Sequence, residues 1–161
     1  RWNDVVYLDS SDVNSHLKYQ LKLGDLVLGM DRPFISGGLR IAEIQSSDLP
    51  SLLLQRVVKI SAKKVLSQDY LKFNLLSNML LDYFTPIFSG VSVPHISIKQ
   101  IEDFEIAIPD ISEQKIIVKF LKTAIEKTHL TIDNLLVQID KLKEYKTTLI
   151  DYAVTGKIKV S

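Results

Sequence analysis

The residues of this 161-residue chain that could do covalent or metal chemistry are few and scattered. There is no cysteine, which excludes a thiolate zinc site, a cysteine nucleophile and a disulfide scaffold. The three histidines, His16, His95 and His129, stand far apart and fit no short metal-ligand spacing. The chain carries no nucleophile elbow, no phosphate-cradling glycine loop and no zincin motif. The Asn/Asp-Pro-Pro-aromatic loop that a base-amino methyltransferase needs is also missing. Asp31, Glu43 and Asp48 show no pairing that points to acid–base work. The reading is a non-enzymatic chain with no metal site.

Chemistry of recognition is better represented. The stretch GMDRPFISGGLR (29–40) carries Arg32 and Arg40 among glycines that let backbone approach a ligand closely. An arginine can reach O6 and N7 of guanine with two hydrogen bonds. A plainer reading pairs Asp31 with Arg32 across a turn and has Gly37-Gly38 close a hairpin; spacing alone leaves both open. The stretch SGVSVPHIS (89–97) offers Ser92 and His95 as hydrogen-bonding groups, although its chemistry alone favours an ordinary polar turn. Lys63 and Lys64 lie in a basic run with Arg56, Lys59 and Lys72, opposed only by Asp69. They are candidate phosphate contacts, while a solvated face is the commoner meaning of such a run.

These groups need elements to position them. Residues 5–8 (VVYL) read as a short strand closed by the polar cluster 9–12. Gly24-Asp25 signals a turn before a strand at 26–28. Residues 29–38 read as a loop, 39–44 as a strand and 52–60 as another. Ser67 is an N-cap candidate. Tyr70, Phe73, Leu76, Leu80 and Tyr83 then recur at spacings of three and four, so one helix is expected, ending at Thr85-Pro86. Residues 96–101 read as a short helical turn and 104–108 as a strand stopped by Pro109.

From Ser112, a second N-cap candidate, the pattern changes: no glycine or proline occurs until Gly156. With Ile125 at heptad position a, the a series is Val118, Ile125, Ile132, Ile139 and Lys146. The d series is Leu121, Thr128, Leu135, Leu142 and Leu149. β-Branched residues fill a and leucine fills most of d, the preference of two-stranded coiled coils. A helix over 112–150 would be roughly 58 Å long, more than a small domain needs. A plainer reading lays the helix across its own domain. The favoured one packs most of it on a second long helix, and as the chain offers no second one, the expected partner is another chain.

Composition is ordinary for a globular protein, with 46% hydrophobic and 24% charged residues, so wholesale disorder is excluded. The net charge of +1 is a weak signal for nucleic acid, but it is unevenly spread: −2 over residues 1–110 and +3 over 111–161. No apolar run is long enough to span a bilayer and no leader-like segment is visible, so no membrane association and a cytoplasmic location are expected.

Read together, the motifs resemble the specificity subunit of type I restriction–modification systems. The resemblance rests on LKLGDLVLGMDRPFISGGLRIAEI (21–44), LLLQRV (52–57), SGVSVPHIS (89–97), FEIAIPDISEQKIIVKFL (104–121) and DYAVTGKIKV (151–160). The Pro-x-x-x-Glu-Gln-x-x-Ile pattern that opens the long helix and the Ala-Val-Thr-Gly-Lys-Ile tail are its most specific parts. Such subunits usually hold two target recognition domains, each followed by a long helix, and the two helices pack antiparallel as a spacer. The resemblance therefore implies one module, a half-subunit or fragment, with a strand-and-turn segment expected ahead of Arg1.

The expectation is an α+β chain: a small mixed-sheet DNA target recognition domain at 1–110, a long spacer or dimerisation helix at 111–150 and a tail at 151–161. Its implied partners are double-stranded DNA, methyltransferase subunits, restriction subunits indirectly, and a second copy or half held through the long helix. S-adenosylmethionine is expected in the methyltransferase subunit and no cofactor in this chain. The competing reading is a coiled-coil adaptor whose globular end binds protein.

Overall fold

A computed structural model of the chain describes residues 7, 9, 13–36, 38–88 and 92–159. The strand expected at 5–8 and the polar turn after it lie outside the described residues. Two compact units are present, residues 1–115 and 116–161.

In the first unit, β1 (Leu26–Gly29) is the centre of a three-stranded antiparallel sheet. It pairs on one side with β4 (Ile41–Glu43), in the register Leu26↔Glu43 to Leu28↔Ile41. On the other side lies β5 (Val57–Ile60), registered from Leu26↔Ile60 to Gly29↔Val57. Leu26 and Leu28 alternate into the core, as a strand with one buried face requires. The segment expected to be a plain loop folds partly as a hairpin, β2 (Phe34–Ile35) with β3 (Gly38–Leu39). The strand expected over 39–44 is therefore split at Arg40. The strand expected from residue 52 begins only at Val57, because Arg56 holds φ at +64° and breaks the extended run.

Ser67 caps α1 (Gln68–Leu76): its hydroxyl accepts the Tyr70 N–H at 3.1 Å. The single helix expected here is two. Ser77, with ψ of 158°, ends α1, and α2 (Asn78–Ile87) starts at the next residue. The break resets the helical phase. Of the expected stripe, Tyr70 and Leu80 are buried and Tyr83 packs against the core, but Leu76 is 53% exposed; Leu71, Leu75 and Phe84, which the stripe omitted, complete the core face. Pro86 does not stop the helix at Thr85; it sits in the last turn, and the Phe88 N–H still reaches the Phe84 carbonyl. The core gathers Leu26, Leu71, Leu75, Leu80, Phe84 and Ile96.

The helical turn expected near 96–101 is α3 (Ile98–Glu102), opened by a capping box between Ser97 and Gln100. Residues 104–108 are not a strand. They pair with no neighbour among the described residues; Phe104 and Ile106 pack against the core, and the Tyr70 hydroxyl donates to the Ala107 carbonyl at 3.1 Å.

The last element, α4 (Ile111–Val154), has 44 residues and is about 66 Å long. Its cap is Asp110, not Ser112: one carboxylate oxygen accepts the N–H groups of Ser112 at 2.8 Å and Glu113 at 3.0 Å. Helix continues past residue 150, where the tail was expected. It stops in a Schellman arrangement: the Lys157 N–H bonds the Tyr152 carbonyl at 2.9 Å, the Gly156 N–H bonds Ala153, and Gly156 has φ of +72°. The Thr-Gly-Lys motif is thus a helix stop. The class is α+β, as expected, with every strand pair among the described residues antiparallel.

Candidate DNA-recognition site

Three segments meet at the carboxyl end of β1. Met30 and Asp31 follow the strand directly. The Met30 N–H bonds the Arg56 carbonyl at 2.9 Å, and the Ile96 N–H bonds the Met30 carbonyl at 2.8 Å. The Arg32 N–H reaches the Pro94 carbonyl at 3.0 Å, and Asp31 and His95 form an isolated antiparallel bridge. The loops that the sequence singled out at 29–40 and 89–97 are therefore neighbours, tied by backbone.

Side chains reinforce this junction. Arg56 Nη1 donates to both Asp31 oxygens, at 2.8 and 3.1 Å. His95 Nδ1 lies 2.5 Å from Asp31 Oδ1. An ionised carboxylate can only accept, so Nδ1 carries the proton and Nε2 is left for another partner. The His95 hydrogen bond first, and the Arg56 pair after it, hold the Asp31 carboxyl below its usual range; partial desolvation pushes the other way. Asp31 does not pair with Arg32.

Arg32 and Arg40 are both exposed, and their guanidinium groups have no ion pair or hydrogen bond among the described residues. Arg32 has φ of +45°. The stem of Arg40 crosses Gly29 so closely that a Cβ there would lie 3.3 Å from Arg40 Cβ. Its backbone is held on both sides, through Gly29 N–H to its carbonyl and its own N–H to Pro33. Arg32, Arg40 and His95 are thus gathered at one end of the sheet. Exposed Ser92 lies three residues before His95; the segment immediately ahead of it, 89–91, is outside the described residues.

Lys63 and Lys64 are exposed but lie elsewhere. They follow the other end of β5, the end registered with Leu26 rather than Gly29, about 13 Å of strand away from Arg56. Arg56, which the sequence placed only in a basic run able to contact phosphates, sits at the junction with Asp31. A charged residue closing the run LLLQ was the available signal, but its partner Asp31 lies 25 positions away and no local pattern links them.

Along α4, Val118 is buried and Leu121 half-buried. Ile125, Ile132, Leu135, Ile139, Leu142 and Leu149 are exposed by 41–66%, an apolar seam at heptad spacing. No helix among the described residues is long and apolar enough to cross a membrane, and no cluster of three metal-ligating side chains occurs among them.

A small α+β domain that gathers arginine-bearing loops at one sheet end, continued by a long helix with an apolar seam, has the parts of a nucleic-acid recognition module. Residues 3–141 match the type I restriction modification DNA specificity domain, and the chain belongs to that family. It is 27% identical over 164 aligned positions to the type I restriction enzyme MjaVIII specificity subunit of Methanocaldococcus jannaschii, covering 99% of this chain and 37% of that one. It is 40% identical over 102 residues to the EcoAI specificity subunit of Escherichia coli, covering 63% of this chain and 17% of the relative. With the EcoBI specificity subunit of Escherichia coli it shares 31% identity over 137 residues, 83% of this chain and 27% of the other. The chain spans well under half the length of each.

Proposed function

We propose that this chain reads a short DNA sequence as one recognition module of a type I specificity subunit. It acts without catalytic chemistry of its own and positions methyltransferase subunits, and through them restriction subunits, on a bipartite target in the cytoplasm. The observation that carries the reading is the pair of exposed guanidinium groups of Arg32 and Arg40, without a partner among the described residues, beside the Asp31–His95–Arg56 junction. Free arginines held on backbone-tied loops suit base edges, because a bidentate contact needs a fixed approach. The low net charge agrees with a reader clamped by larger subunits that supply other phosphate contacts. The apolar seam of α4 suits a second helix, from a twin or from the other half of a longer subunit. S-adenosylmethionine belongs in this reading to the methyltransferase.

A band-shift assay with randomised duplex DNA, with and without a methyltransferase subunit, tests the proposal. Retention of a defined sequence is expected. Loss of all DNA binding in both settings would favour a protein-binding adaptor instead.

A further inference from the structure

We propose that Asp31 is a positioning residue for specificity: it withholds the Arg56 guanidinium from DNA phosphate and fixes Arg56 and His95 against the loop that carries Arg32. The inference rests on the DNA-recognition reading above and assigns a task within it.

A carboxylate on a surface that meets DNA repels phosphate, so Asp31 lowers affinity for every sequence alike. What it provides is geometry. Its two oxygens take Arg56 at 2.8 and 3.1 Å and His95 at 2.5 Å, which joins residues from three separate segments. The same three segments are tied by backbone bonds from Met30 to Arg56, from Ile96 to Met30 and from Arg32 to Pro94. Two arginines here hold left-handed backbone, Arg32 at φ +45° and Arg56 at +64°, which persists only where the surroundings over-determine it.

The result is a division among four basic side chains. Arg56 and His95 are engaged by Asp31; Arg32 and Arg40 have no ion pair or hydrogen bond among the described residues. Phosphate attraction grows with the number of free cations and is blind to sequence, whereas base reading needs few cations held still. Specificity is a difference of affinities. A carboxylate that removes the Arg56 cation from the indiscriminate pool while stiffening the reading loop enlarges that difference.

The test compares the whole chain with Asp31→Asn, Asp31→Glu, Arg56→Gln and the Asp31→Asn/Arg56→Gln pair. Each is measured against randomised duplex DNA over a range of salt and then put through sequence selection. Asp31→Asn frees Arg56 for phosphate. It should bind random duplex several-fold more tightly at low salt, with a log-affinity against log-salt slope steeper by about one. Its selected sequence should be less defined. Adding Arg56→Gln should cancel the steeper slope, and Asp31→Glu should restore part of the selectivity. A simple loss of structure would instead weaken binding to every duplex and lower the unfolding temperature, and that outcome overturns the inference. So does an unchanged slope and selectivity in Asp31→Asn beside a wild type that selects a sequence, which leaves DNA reading intact. A wild-type chain that selects no sequence, alone or with a methyltransferase subunit, overturns both.

Discussion

The side-chain oxygen of Gln114 accepts the backbone N–H of Ser67 at 2.8 Å, and Ser67 is itself the cap of α1. The amide of Gln114 donates to the carbonyls of Val65 at 2.9 Å and Pro109 at 2.8 Å, and the residue is fully buried. A buried polar group is tolerable here because both N–H donors and the oxygen each have a partner. Gln114 thus fastens the first turn of α4 to the loop before α1, within the compact first unit.

Gln114→Leu removes all three bonds and leaves the backbone groups of half-buried Ser67 and Pro109, and the Val65 carbonyl, without this partner. A loss of about 2–4 kcal/mol in denaturant unfolding is expected. Gln114→Glu should destabilise too, since a carboxylate would face two carbonyls, and acidification should relieve part of that loss. An unaffected unfolding midpoint in Gln114→Leu would show that this bond set is not holding the helix start.

The cap of α4 predicts a pH dependence. The Ser112 hydroxyl, then the N–H groups of Glu113 and Ser112, hold the Asp110 carboxyl below its ordinary value of 3.8. A depressed folded value means that the unfolded chain binds the proton more readily. The contribution is therefore full above 3.8 and is lost as pH falls through the lowered folded value. Asp31 acts in the same direction. Asp110→Ala should lower stability near neutral pH and flatten the acid side of the stability curve. Equal acid slopes in wild type and variant would contradict the assignment.

The elements legible in the sequence were those fixed by local chemistry. Ser67 announced its helix because a serine before a periodic segment can cap it, and the Gly24-Asp25 turn preceded β1 as read. The length of α4 followed from its unbroken heptads. Elements decided by distant contacts were not legible. The break at Ser77 interrupts a run that keeps helical spacing, so periodicity carried the stripe through Leu76. Residues 104–108 have strand composition, but a strand also needs an edge to join, and the Tyr70 hydroxyl holds that segment instead. In the site, residue types named Arg32, Arg40 and His95, while the partnership of Asp31 with Arg56 depends on the fold returning 25 residues later.

The exposed seam of α4 predicts self-association. Ile132 and Leu135 are 47% and 51% exposed, and burying such side chains is worth about 1.5–3 kcal/mol each. Light scattering of the chain should show a dimer. Replacing Ile132 and Leu135 by Glu would place charge in the seam without compensation and should give a monomer with unchanged helical content. A wild type that stays monomeric at high concentration would exclude pairing of the isolated chain.

Base contacts should separate from phosphate contacts. Arg32→Ala or Arg40→Ala is expected to cost about 1–3 kcal/mol and to relax preference at one base position. Lys63→Ala or Lys64→Ala, at the far end of β5, should leave preference intact and weaken all sequences alike, if it acts at all. Selection on randomised duplexes reads both effects. Unaltered preference in both arginine variants would remove them from the reading surface.

Symmetry then sets the form of the target. Two copies paired through α4 about a two-fold axis present the same reading surface twice, and the strands of DNA are themselves related by two-fold axes. Each copy should read the same short word on opposite strands, so the modified site should be an interrupted inverted repeat. Thr128 and Lys146 are the polar breaks at the d and a positions and can fix the register of the antiparallel pair. Deleting one heptad, residues 128–134, from both copies should shorten the spacer by about 10 Å, roughly three base-pair steps. The half-words should persist while the gap between them contracts. Methylation mapping of the assembled methyltransferase reads this directly. An asymmetric site from a purified homodimer would sink the symmetric arrangement, and an altered half-word after the deletion would show that reading and spacing are not separable along this chain.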